Sequence, residues 1–137
     1  MRTADQGSTF HILTAAELNW QNGHEFGIQA IRYLLEQGVN VQYRLVGRGD
    51  FLEAIACARH DLGLDSVIQL LMEDYHQKMS QHLEWADTFL LAAVARTDRH
   101  GLLDAIRHKK PVVTTDVFGR ELQNAAGLRV VPRREPL

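Results

Sequence analysis

The chain has 137 residues, of which 45% are hydrophobic and 23% charged, and a formal net charge of -2. That is enough for one soluble domain burying about two-thirds of its unfolded surface, and the charge gives no electrostatic reason to expect nucleic acid as a partner. A lone cysteine, Cys57, excludes a disulfide framework; its alanine-rich helical surroundings predict a buried, inert thiol. No apolar run approaches the ~20 residues that span a bilayer, and the opening MRTADQGST lacks a signal-peptide core. The expectation is a cytoplasmic protein, with residues 1–8 disordered or foreign to the native chain and residues 9–137 forming the domain.

In chain order, Thr9-Phe-His-Ile-Leu-Thr reads as a short apolar strand, and a polar turn from Ala15 to Asn22 leads into a long helix over Gly23 to Gln37. Phe26, Ala30, Ile31 and Leu34 are the predicted inner stripe of that helix, widened by Ile28 and Leu35 into a mostly buried element, and Gly38 suits a left-handed cap. Val39, Val41, Tyr43 and Leu45 alternate with Asn40, Gln42 and Arg44, the period of a strand with one wetter face. After Gly47-Arg48-Gly49-Asp50, a second helix carries Phe51, Leu52, Ile55 and Leu62, capped by Asp50 and stopped by Gly63. Ser66 to Met72 is the third strand. A third helix places Tyr75, Met79 and Leu83 on one line, with Glu73 and Asp74 at its positive end.

Asp87 to Ala92 forms a fourth strand, Gly101 to His108 a helix with Leu102, Leu103 and Ile106 on one side, and Pro111 to Thr115 a fifth strand. The turn Asp116-Val-Phe-Gly leads to a short helix through Arg120 and Leu122, and Leu128 to Val131 is the last strand. Strands and helices alternating every ~20 to 25 residues predict an α/β, Rossmann-like three-layer sandwich with a parallel sheet of about six strands. In such a sheet every strand delivers its following loop to one edge, where open α/β sheets bind ligands. Glu17, Asn22, Arg48, Asp50, Asp74, Arg99, His100 and Asp116 are expected to gather on that rim.

Gly23, Gly49 and Gly101 each stand beside a predicted helix start, where free N–H groups hold phosphate; a tight turn alone also asks for glycine. Asp104, one turn into its helix, has the chemistry to accept two ribose hydroxyl bonds or simply to favour the helix dipole. His100 suits a general base, a phosphate donor or a solvated cap. His76 and His82 do not share a face, so no metal site is predicted. Neither a Gly-x-Ser-x-Gly elbow nor a Gly-x-Gly-x-x-Gly loop occurs.

The ordered segments Asn19-Trp-Gln-Asn-Gly-His-Glu-Phe-Gly-Ile-Gln-Ala, Tyr43-Arg-Leu-Val-Gly-Arg-Gly-Asp, Asp61-Leu-Gly-Leu, Trp85-Ala-Asp-Thr-Phe, Leu103-Asp-Ala-Ile, Pro111-Val-Val-Thr-Thr-Asp-Val-Phe-Gly-Arg-Glu and Val131-Pro cover nearly the whole chain. Their order resembles the second domain of retaining GT-B glycosyltransferases of the large group often called family 4. The resemblance implies a domain that binds a nucleoside-diphosphate sugar as donor substrate, without cofactor or metal, beside an acceptor-binding domain N-terminal to it. It implies retention at the anomeric carbon, driven mainly by diphosphate stabilisation, and no turnover by this domain in isolation. In the full-length enzyme it implies a cytoplasmic or membrane-peripheral location.

Residue by residue, the family's arginine and lysine after the first strand correspond to Glu17 and Asn22. The second of its paired acids corresponds to Asp104, while the first falls on Arg96 in strict register or on His100 if Asp98-Arg-His-Gly is read as a shortened acidic loop. Gly47, Arg48 and Gly49 match the loop after the second strand, where Arg48 is the candidate phosphate cation. Gly119 and Glu121 match the family's glycine-to-glutamate turn. The missing cations and first acid leave a second reading, a non-catalytic Rossmann-like binding or interaction module. A flavodoxin-like signalling domain fits the alternation but not the ordered segments.

Overall fold

The structure is a computed structural model that describes residues 8–74, 77–95, 99–116 and 128–131, with backbone only at 128 and 131. Six strands, β1 (Phe10–Ala15), β2 (Val41–Val46), β3 (Ile68–Leu71), β4 (Thr88–Leu91), β5 (Val112–Thr115) and β6 (Leu128–Val131), form one sheet in the order β3-β2-β1-β4-β5-β6. Each neighbouring pair is parallel. Parallel neighbours require crossovers, and α1 (His24–Glu36), α2 (Leu52–Asp61), α3 (Met79–Trp85) and α4 (His100–Arg107) provide four of them. The predicted Rossmann-like architecture is the observed one.

The period-2 pattern of the strands splits the core into two layers. Leu13 and Ala15 of β1 join Val46, Phe89, Leu91 and Val112 against Met79 and Leu83 of α3 and Leu102 and Ala105 of α4. On the other face Ile12, Val41, Tyr43, Leu45 and Ile68 pack against Ile28 and Ile31 of α1 and Ile55 of α2. β2 shows the predicted alternation directly, with Val41, Tyr43 and Leu45 buried between half-exposed Gln42 and Arg44.

One polar chain crosses this core. Thr14 Oγ1 donates to the Leu90 carbonyl at 2.6 Å, so the Tyr43 hydroxyl, 2.5 Å away, must donate to Thr14. The chain ties β2 to β1 and β1 to β4, and complete burial pushes the Tyr43 phenol far above its ordinary titration range. Tyr43→Phe is expected to cost about 1 kcal/mol, read from the urea midpoint. An unchanged midpoint would show that the hydroxyl contributes nothing net.

Several local expectations need correction. The buried line of α1 is His24, Gly27, Ile28 and Ile31, so the helix is not mostly buried. Of the predicted stripe, Ile28 and Ile31 are buried and Leu34 and Leu35 pack partly buried against the core, while Phe26 and Ala30 border, with Tyr33 and the edge of Leu34, an open groove of about 720 Å³ also lined by Leu90, Ala92 and Val113. Asp50 does not cap α2, whose N-cap is Phe51 without a side-chain bond; the Phe51 amide is held by the Leu18 carbonyl at 3.1 Å, which sets the start of the helix. The third helix begins only at Met79, and Glu73 lies outside it, bonded to His82 Nε2 at 2.7 Å. Cys57 is exposed rather than buried, because α2 packs through Ile55 alone among its fully buried residues. Tyr75, His76 and the predicted helix through Arg120 and Leu122 lie outside the described residues.

Candidate functional site

Strand order reverses between β1 and β4, the two central strands. In open α/β sheets the loops that diverge at such a point leave a crevice over the carboxyl edge. All eight predicted rim residues follow strand ends on that edge: Glu17 and Asn22 after β1, Arg48 and Asp50 after β2, Asp74 after β3, Arg99 and His100 after β4, and Asp116 after β5.

The loop after β1 is built around one carbonyl. Glu17 O accepts from Asn22 Nδ2 at 2.7 Å and pairs with His24 Nε2 at 2.9 Å. Because a carbonyl only accepts, His24 must carry its proton on Nε2, leaving Nδ1 a bare acceptor. Asn19 Oδ1 accepts from the Asn22 amide and caps the 3-10 turn Trp20–Asn22. Asn22 and His24 are each only 1% exposed, and burial lowers the His24 pKa despite its bond to Glu17. Asn22 Oδ1, His24 Nδ1 and Glu25 Oε2 are buried acceptors without a protein donor. The Glu17 carboxylate is exposed and takes a 3.2 Å bond from Asn19 Nδ2. The unpartnered buried atoms around this loop are thus acceptors, and its exposed charge is the negative one of Glu17.

The rim glycines are required by carbonyls of neighbouring loops. A Cβ on Gly23 would stand 2.0 Å from Ala92 O, on Gly47 2.0 Å from Ala16 O, on Gly49 2.2 Å from Leu18 O, and on Gly101 2.2 Å from Ala15 O. Backbone bonds lace the same loops together, with Leu18 N to Arg48 O at 2.8 Å and Val94 N to Gln21 O at 2.8 Å. Gly23 is also left-handed, at φ 61. These four positions weld the loops after β1, β2 and β4 into one platform.

Asp104 lies one turn into α4, with 28% of its side chain exposed and a 3.0 Å pair to Arg107, itself 71% exposed. It opens on a polar recess of about 300 Å³ shared with Lys78, Ser80, Gln81 and His108. Gly101 is buried in the first turn of α4, while His100, at the start of that helix, and Arg48 are exposed. Arg99 is the α4 N-cap and makes no side-chain capping bond. Gly119, Glu121 and Arg96 fall outside the described residues. Among the described residues no group of three or more His, Cys, Asp and Glu is placed to hold a metal ion. None of their helices is long and apolar enough to cross a membrane.

Two residues of this platform were not singled out by motif: His24, which locks the loop, and Trp20, 51% exposed on it. A large aromatic residue inside a predicted turn was the available signal for Trp20.

A parallel sheet whose strand order reverses between its two central strands defines the class of doubly wound Rossmann-like domains. Residues 9–136 match the family described as Glycosyl transferases group 1, and the chain belongs to that family. It is 28% identical over 114 residues to the amylovoran biosynthesis glycosyltransferase AmsK of Erwinia amylovora, covering 79% of this chain and 28% of that protein. It is 29% identical over 110 residues to the putative colanic acid biosynthesis glycosyltransferase WcaL of Escherichia coli K12, covering 76% of this chain and 27% of that protein. The chain thus spans less than a third of the length of these relatives. Among solved structures, a glycosyltransferase from Rickettsia africae superposes with a TM-score of 0.79 at 16% identity, over 94% of this chain and 35% of that one. Anabaena HepE, solved with UDP and glucose, gives 0.72 at 17% identity, over 93% and 35%. At these identities the structural likeness shows the fold alone.

Proposed function

We propose that this domain is the nucleotide-sugar-binding half of a glycosyltransferase that moves a sugar from a nucleoside diphosphate to a hydroxyl acceptor. The observation that carries the reading is Asp104, a carboxylate on the first turns of α4 opening on the polar recess beside α3. In that position it accepts the two ribose hydroxyls, for which its exposed partner Arg107 is a weak competitor. The diphosphate lies toward the α4 N-terminus, where helix-end amides favour anions, with Arg48 and Arg99 as the candidate cations and His100 beside it. Gly23, Gly47, Gly49 and Gly101 shape the platform rather than touch the charge. The acceptor is bound by a second domain that completes the cleft, so this chain by itself does not turn over.

Calorimetric titration with UDP, GDP and ADP tests the reading. Saturable heat with one of them is expected, and Asp104→Asn is expected to weaken it by about tenfold to a hundredfold, the loss of charged hydrogen bonds. No heat with any nucleotide, in protein folded by circular dichroism, rejects donor binding. That result would favour a second reading, a non-catalytic module of the same fold. The observation favouring it is the loop after β1, where Asn22 spends its amide on the Glu17 carbonyl and Glu17 adds negative charge.

A further inference from the structure

The loop after β1 sits at the switch point, yet its chemistry suits a phosphate poorly. Glu17 presents an exposed carboxylate, and the unpartnered atoms beneath it are acceptors. Three residues further along the same loop is Trp20, with half its surface in solvent. An indole held in the open at a sheet's ligand edge costs burial energy that a loop could recover by folding it inward. Here the main chain of the turn is fixed. The 3-10 turn carrying Trp20 is capped by Asn19, closed by Gly23 N to Trp20 O at 3.3 Å, and pinned to the β4 loop through Gln21 O.

We propose that this loop seats a pyranose ring, with Trp20 stacked on its C–H face and Glu17 accepting its hydroxyls. A pyranose presents apolar C–H groups on its faces and hydroxyl donors around its rim. The indole matches the first as an amphipathic stacking surface. The Glu17 carboxylate, steered by Asn19 Nδ2 at 3.2 Å, matches the second, since an ionised carboxylate has about four acceptor sites and one neighbour uses only one of them. A phosphate meets repulsion at the same place. The inference rests on the reading that the chain handles sugars, and it moves the sugar rather than the diphosphate to the β1 loop.

The ring belongs either to the donor or to the acceptor, and one experiment separates the two. Binding of methyl α-glucoside, methyl α-galactoside, methyl α-mannoside, UDP, UDP-glucose, GDP and GDP-mannose is measured by saturation-transfer NMR and by tryptophan emission, for the wild type, Trp20→Ala and Trp20→Phe. Emission reports Trp20, because the other of the two tryptophans, Trp85, is held between His11 at 4.3 Å and Arg44 at 4.0 Å near the opposite edge of the sheet.

If the ring is the donor's, Trp20→Ala weakens a nucleotide sugar by about tenfold and leaves UDP and GDP unchanged. If it is the acceptor's, a methyl glycoside is weakened by a similar factor and the nucleotide sugars are unchanged. Trp20→Phe retains part of the affinity in either case. Equal loss for a bare nucleotide and its sugar conjugate, unaltered saccharide binding by Trp20→Ala, or no saturable binding of any sugar-bearing probe overturns the proposal. Glycoside binding without nucleotide binding would reject donor binding and leave this site standing.

Discussion

Gly23→Ala is expected to destabilise the protein by about 2 to 5 kcal/mol, a large share of the roughly 5–15 kcal/mol that holds a domain together. Two costs add at this residue. Its backbone is left-handed, at φ 61, where a Cβ carries about 1–2 kcal/mol. That Cβ would also lie 2.0 Å from the Ala92 carbonyl oxygen, so the loops after β1 and β4 must separate, the backbone form of an overpacked contact worth about 1–3 kcal/mol. Gly38→Ala is the control: it is left-handed at φ 83 with nothing within 4 Å of the added carbon, so only the first cost applies. Urea titration of both variants checks the argument. Equal midpoints would mean that the two loops are not in firm contact, and the platform would lose its main structural support.

That contact also explains which parts of the molecule were legible in the sequence. The sheet was readable because strand patterning is local: Val41, Tyr43 and Leu45 alternate with polar neighbours, and their burial follows. The face of α1 was misread because its apolar residues serve two surroundings. His24, Gly27, Ile28 and Ile31 are buried and Leu34 packs against the same core, whereas Phe26 and Ala30 line a groove open to solvent, and periodicity does not distinguish a core from a groove wall. The rim glycines were legible as positions without side chains but not in purpose. What forbids a Cβ at Gly47, Gly49 and Gly101 is a carbonyl on another loop, a long-range contact. Asp50 failed as a cap for a similar reason, since a bond from Phe51 N to Leu18 O decided where α2 begins. Family-matched positions led to Glu17 and Asn22, but their use could not be read from residue type. Asn22 turns a donor inward to a main-chain oxygen, a choice that residue type does not reveal.

Stability should fall as the solution is acidified below about pH 6.5, and His24 should account for much of the slope. The imidazole is buried and its pKa is held below the ordinary 6.5 by desolvation, the bond to the Glu17 carbonyl opposing this only in part. In the unfolded chain the same ring titrates near its ordinary value. Between the lowered native value and 6.5 the unfolded state therefore binds more protons, and stability is lost as pH falls through that window, by at most about 1.4 kcal/mol per pH unit for one proton. The mechanism is visible in the loop: Nε2 already donates to Glu17 O, so an added proton on Nδ1 has no acceptor assigned to it and a charge appears among buried groups. His60 works in the opposite direction, because its bond to Asp65 raises its pKa; that stabilisation is present in acid and disappears as pH rises, and on a fully exposed ring it is small. Urea midpoints between pH 5 and 8 for the wild type and for His24→Gln, which keeps a donor for the carbonyl, isolate the effect. The wild-type curve should drop below pH 6.5 while the variant's stays nearly flat. Parallel curves would place the acid sensitivity elsewhere and deny His24 its role in locking the loop that carries Trp20 and Glu17.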